Sequence, residues 1–442
     1  MYVSRLHIQN IRTFERAELI LELPTGRPPV RGESPSNVTL LIGENGCGKT
    51  TLLRCLALGA LAPIVVSGSG YVPRSLVRRV KGLKPSPASI DSKVVLHRQD
   101  GVTDGESVED SLSLDLVPAS GFADRFGPYS LADARGSLDR VGPPRDSALW
   151  DETSPAFFMV GYGATRRAEP DQNVSEESRR KLRALRYGRV AGLFEEGVTL
   201  MPLSAWLPRM RHENPGRHKQ VVTLMNRILD GRAVLQSDAI DGEYLFDVSG
   251  SQLPFHALSD GYRAFIGWVA DLLYHVCMGA PSGAKLVESR GVVLVDEIDL
   301  HLHPDWQTRV VMSIANALPA MQFVLTSHSP LVVGTLWSRN LRVIRWAEGR
   351  TAPSTVVEGP SEEVYGKSAD QLLTSRDFGL GSARAPEFAT QLNKAAKATD
   401  LEGTLRFMRL LSQGGEGLSE PAEHIATAEP RKRRKARAAS DA

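Results

Sequence analysis

The sequence predicts an α/β protein with a mixed sheet, flanking helices and a helical lobe. Three observations predict it. Short apolar runs such as VTLLI (38–42), AFFMVGY (156–162) and VVLV (292–295) have the length and composition of strands buried on both faces. Strands at 292–296, 322–326 and 342–346 alternate with a helix from about residue 305, the pattern of a parallel sheet with crossover helices. The first 23 residues instead alternate apolar and polar side chains, which adds half-buried strands of another kind.

Taken in order, Tyr2, Val3, Leu6, Ile8 and Ile11 make one strand and Leu19, Ile20, Leu21 and Leu23 a second, with a turn at Asn10–Phe14 between them. Residues 24–37 are rich in Pro, Gly and Ser and read as a loop. Strand 38–42 runs into a Gly-rich turn and a helix from about Lys49. SKVVLHRQD (92–100) and SLSLDLVP (111–118) are strands among Gly-, Ser- and Pro-rich loops. Residues 175–235 carry many Arg, Leu and Glu and are mainly helical. A hairpin-like patch follows at Tyr244–Val248, then a long apolar helix over 259–278. Residues 365–412 look helical, and no internal repeat is evident.

Composition excludes several classes. With 442 residues and 42% hydrophobic content the chain can bury a sizeable core. The net charge of +2 gives no global demand for nucleic acid. Cys47, Cys55 and Cys277 form no paired pattern and suit a reducing cytoplasm. MYVSRLHIQN lacks the apolar core of a secretory signal. No apolar run approaches the roughly 20 residues of a membrane helix. The expectation is a cytoplasmic protein without a membrane partner.

Two motifs carry chemistry directly. GENGCGKTT, comprising Gly43, Glu44, Asn45, Gly46, Cys47, Gly48, Lys49, Thr50 and Thr51, fits G-x-x-x-x-G-K-[ST] between a strand and a helix. Glycines let successive backbone N–H groups curl around phosphates, and the helix N-terminus adds partial positive charge. Lys49 would reach the terminal phosphates of ATP, and Thr50 would offer its hydroxyl to Mg²⁺. Such a loop needs an acid at the end of a neighbouring strand. VVLVDE supplies Asp296 for Mg²⁺ and Glu297 as general base for the attacking water. His301 and His303 share an i, i+2 spacing that would suit a transition metal on a strand. No CxxC or HExxH accompanies them, and the loop after the hydrolytic strand is their expected place.

The third motif sets the class. LSDGYR (258–263) at a helix start resembles the LSxGx signature of ATP-binding-cassette ATPases. The order of P-loop, signature, hydrolytic strand and VLTSHSP matches that family too. The resemblance implies a P-loop NTPase of ABC/SMC-head type. In it Ser259, Asp260 and Gly261 of one subunit close on the γ-phosphate held by the other, and His328 is the switch histidine. LHIQNIRTFERAELIL resembles the N-terminus of RecF-, SMC- and OLD-type ATPases. DEIDLHLHP, TSHSP and GKSADQLLTSRDFGL are similar to the soluble subgroup that includes Septu PtuA-type and retron-associated antiphage ATPases. The family's Mg²⁺-contacting Gln has no clear counterpart. GYGATRR (161–167) is the candidate segment, with Arg166 and Arg167 near phosphate or a partner.

The expected layout follows. Residues 1–174 form the N-terminal half of the ATPase head and 175–240 a helical lobe. Residues 241–360 complete the head, 361–413 are a C-terminal helical region, and 414–442 a disordered basic tail ending in RKRRKAR. The lobe is too short, and lacks the heptads, for a long coiled coil. OLD proteins carry a Toprim nuclease after the head, and its Asp-x-Asp pair is absent after residue 330. The resemblance therefore implies an ATP-sandwiched homodimer, or a higher assembly, that controls a separate effector such as an HNH nuclease in antiphage defence. The tail offers contact with nucleic-acid phosphate, although a terminal charge run is usually just solvated. The rival readings are a RecF-like DNA-repair clamp and an OLD-like nuclease.

Overall fold

The computed structural model describes residues 1–30, 32–67, 71–97, 107–127, 158–166, 186–240, 243–280, 283–349, 352–379, 382, 384–397 and 401–413. The basic tail and Arg167 lie outside them. The chain divides into two compact units, Met1–Phe378 and Gly379–Ala442.

The first unit is built on three sheets. A five-stranded antiparallel sheet has the order β2-β1-β4-β5-β6, from β1 (Tyr2–Ile11), β2 (Phe14–Ile20), β4 (Ala88–His97), β5 (Ser107–Pro118) and β6 (Asp124–Phe126). The central sheet has the order β14-β13-β3-β12-β11-β7. Its strands are β3 (Val38–Gly43), β7 (Met159–Tyr162), β11 (Gly291–Val295), β12 (Met321–Thr326), β13 (Leu341–Ala347) and β14 (Ser354–Glu358). All its pairs are parallel except β13 with β14, so it is mixed, with one antiparallel edge. The third sheet pairs β8 (Val234–Ile240), β9 (Glu243–Val248) and β10 (Ser251–Pro254) antiparallel.

The period of two along the central strands sorts side chains into two cores. Val292 and Leu294 of β11, Val324 of β12 and Leu41 of β3 face one side. There helix α1 (Lys49–Ala60) packs with Leu52, Leu53 and Leu56 beneath Leu6 and Ile8 of the five-stranded sheet. Val293, Val295, Phe323, Leu325, Leu40 and Ile42 face the other side. They meet α2 (Leu203–Glu213), α3 (Pro215–Leu229), α4 (Asp260–Gly279) and α5 (Val310–Ala317). Both faces are covered, which is why these strands are continuous apolar runs.

Buried side chains stitch the layers. Gln322 of β12 accepts from Val3 N–H at 2.9 Å and donates to the carbonyls of Val3 and Glu22 at 2.7 and 2.9 Å. Asp271 of α4 is fully buried. It accepts from Tyr162 Oη at 2.8 Å and from the backbone N–H of Met201 at 2.7 Å, and His275 lies 3.5 Å away.

Several stretches differ from the sequence reading. Residues 186–240 contain α2 and α3 but end in strand β8, because Asn226 of α3 pins Leu235 through both of its backbone groups. The hairpin-like patch is the middle of a three-stranded sheet. Strand β14 went unseen because its edge position shortens the apolar run. The expected helix at 365–412 is three separate helices, Ala369–Leu373, α6 (Pro386–Ala396) and α7 (Leu401–Gln413). In the second unit, α6 and α7 pack through Phe388, Leu392, Ala395, Phe407 and Leu410. Among the described residues no helix is long and apolar enough to cross a membrane.

The Asp271 contacts generate a stability prediction. Asp271→Leu strands the Met201 N–H and the Tyr162 hydroxyl in the core, and should cost about 3 kcal/mol. Urea denaturation of the variant against the parent chain checks this; an unchanged midpoint would contradict it.

Candidate active site

The carboxyl ends of β3, β11 and β12 lie side by side, and the chain leaving each carries one part of the site. After β3 it turns through Gly43 and Gly48 at φ of 149° and 110°. A Cβ on Gly43 would sit 2.1 Å from Ile344 O, and one on Gly48 2.5 Å from the Phe14 ring, so neither position accepts a side chain. Helix α1 then starts with no acidic residue in its first turn. Its free N–H groups and positive dipole end face the loop uncompensated, which suits an anion.

Lys49 is buried, and its ammonium donates to the carbonyls of Gly43 and Glu44 at 2.8 and 2.9 Å. Burial lowers its pKa, opposed by Cys47 and the carboxylates of Asp296, Glu297 and Asp299. Glu44 and Cys47 close the loop through a Cys47 N–H bond to Glu44 O at 3.4 Å. Thr13 Oγ1 steadies it by donating to Cys47 O at 3.2 Å. Burial raises the Cys47 thiol pKa, so the thiol stays neutral. Gly46 turns at φ 79°, Thr51 is buried against Arg12 Nη1 at 3.4 Å, and Asn45 is exposed.

The structure brings Thr50 and Asp296 together. Thr50 Oγ1 donates to Asp296 Oδ2 at 2.7 Å, and Thr326 Oγ1 donates to Asp296 Oδ1 at 2.7 Å. The same Thr326 oxygen accepts the Glu297 N–H at 2.7 Å. Asp296 is also fixed by its own N–H bond to Tyr162 O at 2.8 Å. Glu297 sits at φ 51°, unusual for a residue with a side chain, and its carbonyl accepts from Arg166 Nη2 at 2.5 Å. Hard oxygens from Thr50 and Asp296 lie close enough to share the shell of one small divalent cation, so the residues present fit Mg²⁺.

His328 follows β12 and is half-buried. Burial, and then the Lys49 charge, lower its pKa, against the pull of Asp299, Glu297 and Asp296. The imidazole is therefore neutral at pH 7. Ser329 behind it caps the next turn through Leu331 N–H and donates to Gln307 Oε1 at 2.7 Å.

Ser259, Asp260 and Gly261 stand apart. They open α4, with Ser259 as an N-cap whose side chain makes no cap hydrogen bond. Ser259 and Asp260 are exposed. Asp260 pairs with Arg263, and a Cβ on Gly261 would meet His301 O at 2.8 Å.

His301 and His303, in the loop after β11, have other tasks. His303 caps the Pro304–Gln307 turn, its Nδ1 accepting from Asp305 N–H at 3.4 Å. His301 is an exposed turn residue at φ 63°. Among the described residues no group of three or more His, Cys, Asp or Glu is placed to hold a metal. Trp306 packs edge-on to Phe265 with ring centroids 4.5 Å apart, as a core residue does.

Sequence reasoning missed Thr326, which holds both acids of the DE pair. The available signal was its position at the end of the strand beside VVLVDE, directly before SHSP. Asp299, two residues beyond the DE pair, was also missed. Its charge acts on Lys49, Arg166 and His328 alike.

Comparison with known proteins finds AAA-domain models and an ATPase-named relative. Residues 206–334 match a family model described as "AAA domain, putative AbiEii toxin, Type IV TA system", and residues 5–63 one described as "AAA domain". The chain is 25% identical over 379 residues to the Septu protein PtuA of Bacillus mycoides (strain KBAB4), covering 86% of this chain and 45% of that one. It thus spans less than half the length of that relative. It is 30% identical over 414 residues to the retron Ec83 probable ATPase of Escherichia coli, covering 80% of this chain and 73% of that one. An SMC head bound to the C-winged helix domain of ScpA aligns with a TM-score of 0.46 at 13% identity, covering 82% of this chain and 98% of that one.

The Thr326 contacts generate a prediction. Thr326→Val keeps the shape but leaves Asp296 Oδ1 and the Glu297 N–H without partners, at a cost of about 1–3 kcal/mol. Nucleotide hydrolysis should fall at least tenfold, by about 1.4 kcal/mol of barrier, while the fold persists. Steady-state kinetics beside a thermal melt checks this, and hydrolysis at the parent rate would contradict it.

Proposed function

The chain belongs to the family of the retron Ec83 probable ATPase, and from that premise we propose that it is an ABC-type ATPase that dimerises on ATP and, by hydrolysing it, controls a separate effector in antiphage defence. The AAA-domain matches and the ATPase-named relative support the hydrolase activity. The defence role is supported by similarity to a Septu protein and a retron ATPase.

One observation carries the dimer. Lys49, Thr50, Asp296, Glu297 and His328 are grouped around the ends of β3, β11 and β12, whereas Ser259 and Asp260 lie exposed at another helix start. An exposed Ser hydroxyl without a cap hydrogen bond and the N–H groups of a helix start make an anion-binding surface. A second copy, related by a twofold axis, supplies the anion. Each P-loop then faces the partner's signature, and two nucleotides are enclosed.

The chemistry follows from the side chains. Lys49 turns from the loop carbonyls to the β- and γ-phosphates, and the α1 N-terminus adds positive charge. Thr50 and Asp296 would hold Mg²⁺, which would supply neutralisation of the charge on the phosphate oxygens. Glu297 accepts a proton from the attacking water as its oxygen bonds to the γ-phosphorus. The bond to the bridging oxygen breaks, and ADP leaves with the electron pair. Neutral His328 donates a hydrogen bond to the γ-phosphate and reports its loss. ATP drives closure only because it binds the closed state better than the open one. An effector such as an HNH nuclease would read that difference.

Light scattering with ATP and Mg²⁺ tests the reading. Glu297→Gln should accumulate as a species of twice the chain mass and hydrolyse roughly 10²–10⁴-fold more slowly, the usual loss on removing a general base. Lys49→Ala should remain at the mass of the ATP-free protein. Equal masses for the two variants with ATP present would reject the sandwich.

A further inference from the structure

We propose that Arg166 is a catalytic residue of this site, donating to the terminal phosphate through Nη1 while its Nη2 holds Glu297 in position. The inference rests on the ATPase reading and adds a residue to it.

The backbone delivers Arg166 to the site. Strand β7 runs parallel beside β11, and its last residue, Tyr162, accepts the Asp296 N–H. The chain leaves β7 through Gly163, where a Cβ would lie 2.2 Å from Gly192 O, so the exit packs directly on the backbone of the neighbouring lobe. Arg166 comes three residues later and reaches the hydrolytic strand end. Its Nη2 donates to Glu297 O at 2.5 Å.

That bond has a mechanical consequence. Glu297 lies at φ 51°, a conformation that costs a residue with a side chain about 1 kcal/mol or more. It is held at both ends, its N–H by Thr326 and its carbonyl by Arg166. The carboxylate direction therefore depends on the guanidinium.

The other half of the guanidinium is uncommitted. Among the described residues, Arg166 Nη1 is buried and has no hydrogen-bond partner. A buried charged donor without an acceptor is costly, and such atoms in a folded protein call for an explanation. Asp299 Oδ1, whose charge acts on Arg166, is likewise buried and unpartnered. The surroundings of the β11 end thus hold a donor lacking an acceptor and an acceptor lacking a donor, and they do not satisfy each other. A phosphate oxygen satisfies the first and a water satisfies the second, and these are the two reactants of hydrolysis. Burial brings the Arg166 pKa down to about 10, opposed by Asp296, Asp299 and Glu297, so it remains a cation at neutral pH. Residues 163–165 between β7 and the arginine are Gly, Ala and Thr, so Arg166 is the first long polar side chain where the loop meets the site. A planar fork suits this double task, since one arm can hold a carbonyl while the other meets a phosphate.

The test measures ATP affinity and turnover of full-length Arg166→Ala and Arg166→Lys beside the parent chain and Glu297→Gln. Arg166→Ala should retain ATP affinity within about fivefold, a difference of about 1 kcal/mol, and lose roughly 10²-fold or more in kcat. Millimolar guanidinium, matched against sodium chloride, should restore part of the Ala rate and none of the Glu297→Gln rate. Arg166→Lys should keep the charge but not the fork, and recover only a minor part. A parent-like kcat in Arg166→Ala overturns the inference, and so does a loss confined to ATP affinity or a loss that guanidinium leaves unchanged in a folded variant. If the parent chain hydrolyses no ATP, or Glu297→Gln hydrolyses it normally, the ATPase reading itself fails.

Discussion

The carboxylate of Asp296 is almost fully buried, and a buried carboxylate is tolerable only when its oxygens are hydrogen-bonded. Both of its oxygens are. One accepts from Thr50 at the start of α1 and the other from Thr326 at the end of β12. Three strand ends are thereby drawn to one point. The P-loop, the acid pair and His328 depend on that convergence, since Glu297 hangs from the same Thr326 oxygen and His328 follows two residues later. The five-stranded sheet supports it from one side through Gln322, which bonds β1 and β12 across the shared core.

A second buried carboxylate extends the same logic outward. Asp271 of α4 holds Tyr162, the residue whose carbonyl pairs with Asp296 N–H, and also holds Met201 at the start of the lobe. The helix that begins with Ser259 is thus hydrogen-bonded to the strand that delivers Arg166. Nucleotide chemistry and signature position are connected through two contacts rather than through a long path.

Much of this was legible in the sequence. The P-loop and the DE pair declare themselves because their chemistry needs fixed residue types between a strand and a helix, and the central strands because burial on both faces leaves only apolar residues. The stretch 258–263 stands out in the sequence through its place in the order of motifs, and the structure places it at the start of α4. Thr326 was not, since a threonine at a strand end is ordinary until its neighbour across the sheet is known. Arg166 was named but had no assigned partner, because strand order β11-β7 cannot be read from a chain in which 129 residues separate Tyr162 from Gly291. Strands β8, β10 and β14 escaped for another reason: VLQSDAI, SQLP and STVVE are interrupted by polar residues and show neither a continuous apolar run nor a clean alternation.

The central claim is that each hydrolysis site is made by two chains. It is tested most directly by mixing Lys49→Ala protein with Ser259→Arg protein. Each should be inactive alone, one lacking the phosphate lysine in every site and the other the signature. A mixed dimer has one site with an intact P-loop facing an intact signature, so mixing should restore ATP hydrolysis. If the mixture stays as inactive as its components, or if Ser259→Arg alone hydrolyses ATP at the parent rate, the site does not need a second chain.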